Sequence, residues 1–576
     1  VTGQDIVAGA TFKSPFFYEF HKDLETLMAG EGGTGISRKG VGPGSAAAQP
    51  DDLFAQAEHF GSNAWAVAPE RSADGATRLA INSHQPWTGP VAWYEAHVSS
   101  EEGWNMVGGT FPGGPLIFKG HDEFKGWCHT INRPDLVDIY EMTVNPENPR
   151  QYRFDGAWRD FEVREAEMTV RLWGPVRWTV TRPLLYSEHG PCFETPSGTY
   201  AVKFAGYGEV RQLEQWYRMN KARTFEEFRS ALRMMGLISL NTLYADRDGN
   251  LLYLYNGHFP QRPEGFDWRA FLPGDTSEAL WSTIRPYTDL PRIVRPASGF
   301  VQTCNNSPYY STDGPDNPRP EDFPDDMGVE TYMTNRGLRA LETYGADPAI
   351  TRDEFFDYKY DKFYSDDGAM AGFQADVVAM DPGDDALLSE ARAVIAQWDR
   401  TTTADNEEAA LAIMASEPYI QAVRFGDGEV DPAAYVREAA QTMMRHHDRL
   451  RVPWSEMMRL RRGELDLPLD GGPDCLRAID PLLDEDGRFR AVNGDCYYLM
   501  VEWMPDGTLV SQSIHQFGAA TIDEASPHYA DQAPLFAKYE LKPVWLSEEE
   551  VRANLKLAYR PGDIGPNWYE HAAESE

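Results

Sequence analysis

The chain has 576 residues, 42% of them hydrophobic and 12% aromatic, and a formal net charge of −37. This is globular composition, not that of a disordered chain, and the length admits a large core in one or several domains. The acidity sets the chain against nucleic-acid phosphates and anionic membrane surfaces, so neither is expected as a partner, and no apolar run reaches the about 18 residues that a spanning helix needs.

The chain opens at Val1 with no charged-then-apolar leader, so a signal peptide is expected to be absent or already removed. Ser14-Pro15 followed by Phe16, Phe17, Phe20, Leu24 and Leu27 predicts a capped helix that stops near Ala29-Gly30. Residues 30 to 50 are rich in Gly, Ala and Ser and contain Arg38-Lys39, the composition of an exposed linker. A phosphate loop fails there, because Lys39 is followed by Gly40 and no strand precedes the glycines.

From Asn63 onward the pattern is rich in strands. Ala64 to Ala68, Arg78 to Asn82, Met106 to Gly109, Pro115 to Phe118 and Gly126 to Thr130 are short apolar runs between turn residues. Residues 150 to 190 predict an antiparallel meander. Thr224 with Glu227 predicts a capped helix ending near Gly236. Leu240 to Ala245 and Leu251 to Tyr255, joined through Asp248-Gly249, predict a hairpin. Residues 350 to 460 turn helical, with helices expected at 384–399, 407–415 and 432–451. Strands return at Cys496 to Val501 and Thr508 to Ser513, and Ser547 with Glu550 caps a last helix. Clustered strands, then helices, then strands again predict a layered α+β architecture.

Most familiar chemistry is missing. There is no Gly-x-Ser-x-Gly elbow, no His-Glu-x-x-His and no dinucleotide fingerprint. His446-His447 reads as a solvated helix face. The five cysteines are odd in number and widely spaced; they form no metal pattern, and a single Cys475–Cys496 bridge is left open.

What remains is the stretch Gly61-Ser62-Asn63-Ala64-Trp65-Ala66-Val67. It resembles the maturation site of the penicillin acylase family of N-terminal nucleophile hydrolases, in particular the cephalosporin acylase and acyl-homoserine lactone acylase branches. The resemblance runs from about residue 1 to 560. It continues through Asn82 to Trp87, His121 to Thr130, Asp135 to Asp138, Leu240 to Asn250, Gly299 to Gln302, Asn305 to Pro308 and His528 to Gln532. It implies a four-layer αββα sandwich and an N-acyl amide hydrolase cut autocatalytically at Gly61–Ser62. Residues 1–29 would then be the end of a first subunit, 30–61 a spacer removed on maturation, and 62–576 the catalytic subunit, the fragments pairing as a heterodimer.

The chemistry agrees with this. A serine hydroxyl is a poor nucleophile, but a cut before Ser62 gives the same residue an α-amine with a reference pKa of roughly 7.7–8.0, a usable base near neutral pH. By resemblance, the Asn241 amide and the Ile131 N–H stabilise the oxyanion, His84 orients Ser62 with Asp495 as its acid partner, and Arg262 steadies Asn241. Gln85, Trp87 and Phe118 would line the acyl pocket. Phe118 stands where glutaryl-cephalosporin acylases carry an arginine for a carboxylate, which favours an apolar acyl group, and Gln85 replaces the aromatic of long-chain lactone acylases. Asp135, Val137 and Asp138 match positions that bind calcium in some members; otherwise no cofactor is implied. The expected substrate is a small acylated amine, either an acyl-homoserine lactone, a β-lactam or a related amide, and the expected location is periplasmic or secreted. The competing expectation is a catalytically silent, secreted ligand- or carbohydrate-binding protein on the same fold.

Overall fold

The structure is a computed structural model that describes residues 2–13, 61–89, 91–174, 176–425 and 430–560. The helix and linker expected between residues 14 and 60 lie outside the described residues. Eight strands frame the region around Ser62: β1 (Gly61–Val67), β2 (Thr77–His84), β3 (Lys125–Thr130), β4 (Asn241–Asp246), β5 (Leu251–Tyr255), β6 (Phe300–Thr303), β7 (Phe489–Trp503) and β8 (Leu509–Ile514).

A nine-stranded sheet contains β6, β1, β2, β7 and β8 as antiparallel neighbours in that order. A seven-stranded sheet runs Arg292–Val294, β5, β4, β3, Lys119–His121, Trp104–Thr110 and Tyr94–Ser100. The two sheets face each other, β1 and β2 against β3 and β4. The approach is close: a Cβ on Gly126 of β3 would lie 2.8 Å from Leu79 Cδ2 of β2. Both sheets are therefore wetted on neither inner face, and their strands read as continuous apolar runs without polar alternation. Leu79, Ile81, Trp127, Leu243 and Tyr253 are buried between them, each contributing about 1.5–3 kcal/mol by removal from water.

Helices cover the outer faces. Phe228, on the helix Phe225–Leu232, packs its ring 5.5 Å from Trp127 and 4.5 Å from Tyr244. That helix is capped as expected, with the Thr224 hydroxyl accepting from the Glu227 N–H, but it stops at Leu232. On the other side Tyr344 sits 4.9 Å from Trp65. Further helices, Ala369–Ala379, Ala386–Gln397, Ala409–Phe425 and Pro432–His447, pack on one another. The 150–190 meander divides between two sheets: Asn148–Phe154 and Ala157–Asp160 pair in a three-stranded sheet, and a long hairpin of Glu162–Trp173 with Val176–Ser187 belongs to a six-stranded one.

All five cysteines are free, which corrects the Cys475–Cys496 bridge: the Cys496 thiol instead donates to Ser83 O at 2.8 Å. Among the described residues no helix is long and apolar enough to cross a membrane.

Candidate active site

Ser62 is the second residue of β1, and β1 is buried along its whole length. Its register decides which way each neighbour points. Ser62 pairs with Ser83, and Gly61 pairs with His84. Paired residues share a sheet face and successive residues alternate, so Ser62 and Ser83 face one way and His84 the other. Ser62, Ser83 and Gln85 all line one cavity of about 260 Å³. Its other walls are mostly apolar: Ile6, Trp93, Phe111, Phe118, Trp216 and Leu240.

The backbone around Ser62 is held by two polar side chains, Asn305 and Arg336. The Ser62 N–H donates to Asn305 Oδ1 at 2.6 Å. Arg336 Nη1 donates to Ser62 O at 2.8 Å and to Asn63 Oδ1 at 2.7 Å. Arg336 also reaches Asn305 Oδ1, at 3.2 Å from Nη1 and 3.1 Å from Nη2, and is anchored by Asp474 at 2.9 Å. Asn305 Nδ2 donates to Ile131 O at 2.7 Å, tying the Ser62 nitrogen to the end of β3. Asn305 does this from a left-handed backbone, φ 60°, a conformation that asparagine tolerates better than most residues. Gly61 fits the same cradle closely. A Cβ there would meet Asn305 Oδ1 at 3.3 Å, His84 Nδ1 at 3.4 Å and Arg336 Nη2 at 3.5 Å. The Ser62 hydroxyl donates to Gly61 O.

His84 belongs to a buried charged cluster behind β1. Its Nε2 lies 3.3 Å from Asp495 Oδ1, and Asp495 also takes Lys359 at 2.7 Å and Arg477 at 3.1 Å. Burial pushes the His84 pKa down to about 4, outweighing the pull of Asp495, and leaves the imidazole neutral near pH 7. For Asp495 burial works upward, but Lys359, His84 and Arg477 together hold its carboxyl well below the usual range. The ring of His84 therefore stands beside Gly61 and not beside the Ser62 hydroxyl.

The remaining expected residues divide. Ile131, Gln85 and Phe118 line the cavity with Ser62. Trp87 is not among the lining residues; it packs edge-on against Phe517 and Phe536, at 5.1 and 5.7 Å. Asn241 is buried at the start of β4, where its Nδ2 donates to Thr130 Oγ1 at 3.1 Å and Thr303 Oγ1 at 3.2 Å. Tyr253 OH donates back to its Oδ1 at 3.1 Å. Arg262 does not touch Asn241: its five N–H donors are all engaged by Asp135, Asp138 and Asp326 O. This also answers the calcium expectation. The Asp135 and Asp138 carboxylates face the Arg262 guanidinium at 3.1 and 3.0 Å, and Trp281 Nε1 donates to Asp138 at 2.6 Å. A divalent cation needs six to eight oxygens, and one placed beside these acids with Val137 would be repelled by that guanidinium, so the residues do not fit it. Among the described residues no group of His, Cys, Asp or Glu is assembled to hold a metal ion.

Sequence reading missed Arg336, Asp474, Trp216 and Lys119. Lys119 lines the cavity with its ammonium over the Trp93 ring at 4.2 Å and donates to Tyr497 O at 2.7 Å. Burial brings its pKa down to about 8.

The profile of the Penicillin amidase family matches residues 16–553. The chain belongs to the penicillin amidase family. Acyl-homoserine lactone acylase PvdQ of Pseudomonas fluorescens (strain Pf-5) is 24% identical over 553 residues, 86% of this chain and 70% of that protein. Penicillin G acylase of Escherichia coli is 31% identical over 255 residues, 43% of this chain and 29% of that one. In architecture this family member is similar to the thermostable penicillin G acylase of Alcaligenes faecalis, with a TM-score of 0.64 over 88% of this chain and all of that one, at 20% identity.

Proposed function

We propose that this protein is an N-acyl amide hydrolase that matures by cleavage of its own Gly61–Ser62 bond. The observation that carries the reading is the placement of Ser62: second in a buried strand, directly after Gly61, open to an apolar cavity, its nitrogen held by Asn305. The family membership and the acylase names of its relatives support it over a silent binding protein. We read the facing sheets and the helices on their outer sides as the αββα sandwich of N-terminal nucleophile hydrolases. Maturation leaves two fragments that stay together as a heterodimer, with residues 30–61 as the spacer, in a protein of the periplasm or exterior.

In the mature form the Ser62 amine takes the proton of the Ser62 hydroxyl as the oxygen attacks the amide carbon. The carbonyl becomes an oxyanion, stabilised by the Ile131 N–H and by Asn241 once its amide exchanges a threonine hydroxyl for it. Collapse passes the proton to the leaving amine and leaves an ester on Ser62, which water hydrolyses. Asn305 and Arg336 act as positioning residues for the amine, and His84 for the segment that must be cut. The acyl group occupies the cavity among Phe118, Trp93, Phe111 and Trp216, beside Gln85. Acyl-homoserine lactones, β-lactams and related acylated amines are the substrates to try. Hydrolysis of a graded panel, read by mass spectrometry, tests the reading: the wild type releases acid and amine, and Ser62→Ala does neither cutting nor hydrolysis. Full turnover by Ser62→Ala would refute it.

A further inference from the structure

The stretch from Met168 to Arg182 is unlike the rest of the chain. It holds Arg171, Arg177 and Arg182 and no acidic residue, in a protein with 90 Asp and Glu against 53 Lys and Arg. It forms the outer part of the hairpin Glu162–Trp173 and Val176–Ser187. The second strand pairs with the rest of its sheet only through Leu185–Ser187, so among the described residues 164–184 pair only with one another. At about 3.4 Å per residue that free part extends roughly 30 Å.

The register makes this finger two-faced. Met168 pairs with Val180 and Val170 with Trp178 on one face, with the Ala166–Arg182 pair at its base; Thr169 pairs with Thr179 and Arg171 with Arg177 on the other, and Leu172 lies at the register shift next to the tip. The apolar face is bare: Met168 is 50% exposed, Val170 49%, Leu172 47% and Trp178 59%, while Trp173 at the tip is 69% exposed. A contiguous uncovered apolar face marks an interaction surface. Tryptophan at the rim and arginine beside it, with Glu165 and Glu167 set back toward the base of the finger, complement a lipid interface with anionic headgroups.

We propose that this hairpin docks the protein on anionic membrane surfaces. Its apolar face enters the boundary between headgroups and acyl chains, while Arg171 and Arg177 on the opposite face, and Arg182 at the base of the apolar one, meet lipid phosphates. The net charge of −37 does not forbid this. The tip stands several times farther from the acidic body than the Debye length of about 8 Å at physiological salt. The finger thus revises the expectation, drawn from overall charge, that anionic membranes are avoided.

Co-sedimentation of the full chain with mixed phosphatidylglycerol–phosphatidylcholine vesicles tests it, with pure phosphatidylcholine as the comparison. The wild type should pellet with the mixed vesicles, less so as salt rises. Arg171→Glu with Arg177→Glu should weaken binding by more than about tenfold. Trp173→Ser with Trp178→Ser should weaken it in both vesicle types, with the thermal midpoint and amide hydrolysis of each variant kept. A wild type that stays in the supernatant, or variants that bind as well as it does, would overturn the proposal. So would a concentration-dependent dimer that the tryptophan variant abolishes, since the apolar face would then belong to a second copy.

Discussion

Ser62 is held from behind by its backbone, not by its hydroxyl. Asn305 Oδ1 accepts from the Ser62 N–H, and the Arg336 guanidinium sits on the same oxygen. In the cut enzyme that guanidinium disfavours the ammonium form of the Ser62 amine, and Asp474 only partly offsets it. Arg336→Gln should therefore raise the amine pKa and move the acid limb of the kcat/KM profile up by about one pH unit, with Arg336→Lys partly restoring it. An unmoved acid limb would remove Arg336 from this role. Gly61→Ala places a methyl against Asn305, His84 and Arg336 at 3.3 to 3.5 Å; cleavage should slow severalfold while a pre-cut enzyme keeps its turnover, as timed gel analysis would show. Gly61 and Ser62 stand out through the resemblance of the Gly61-to-Val67 stretch to a maturation site, because all its residues are neighbours in sequence. Arg336 was invisible: it meets Ser62 across 274 positions, and nothing within its own helix marks it. Arg262 misled for the matching reason, since only the fold shows that Asp135, Asp138 and Asp326 consume its donors.

At the scale of elements, the readable parts are those whose ends carry their own chemistry. The β4–β5 hairpin was legible through Asp248-Gly249, and Gly249 adopts φ 81°. Gly249→Ala should cost about 1 kcal/mol or more in chemical denaturation, since an L side chain is strained there. The capping box expected at Ser547 forms, and another closes between Thr351 and Glu354; Thr351→Ala should cost about 1 kcal/mol in chemical denaturation. Other ends were misjudged for physical reasons. The strand expected over Cys496 to Val501 is longer: β7 runs from Phe489 to Trp503, through Gly494 at φ 103°, with the ladders to its neighbours shifting nearby. The helix expected to end before Pro418 continues to Phe425 with the proline inside it. The helix Gln212–Lys221 has no side-chain cap, so its start left no mark in the sequence.

Across the whole molecule, the burial that assembles the site also makes it sensitive to acid. His84, His121, His129 and His515 are each pushed down to about 4, with burial the leading cause. Unfolded histidines titrate near 6.5, so between about pH 6.5 and 4 the unfolded chain binds protons that the folded one refuses. Stability is then present above that window and lost as pH falls through it, by up to a few kcal/mol for each histidine. The thermal midpoint should drop steeply from pH 6.5 to 4; a flat profile would mean that these imidazoles are hydrated or charged in the fold. The α+β class and most strands were legible from composition and pattern. The pairing of sheets that carries Ser62 to Asn305 and the cavity was not, because contacts across hundreds of residues leave no local trace.

A cut before Ser62, by which the chain completes its own nucleophile, is the step on which the proposed chemistry depends. Intact-mass measurement of the purified protein, before and after incubation, tests it most directly. A fragment whose first residue is Ser62 should appear together with amide hydrolysis, and both should be missing in Ser62→Ala. A single uncut chain that hydrolyses amides at full rate would contradict it.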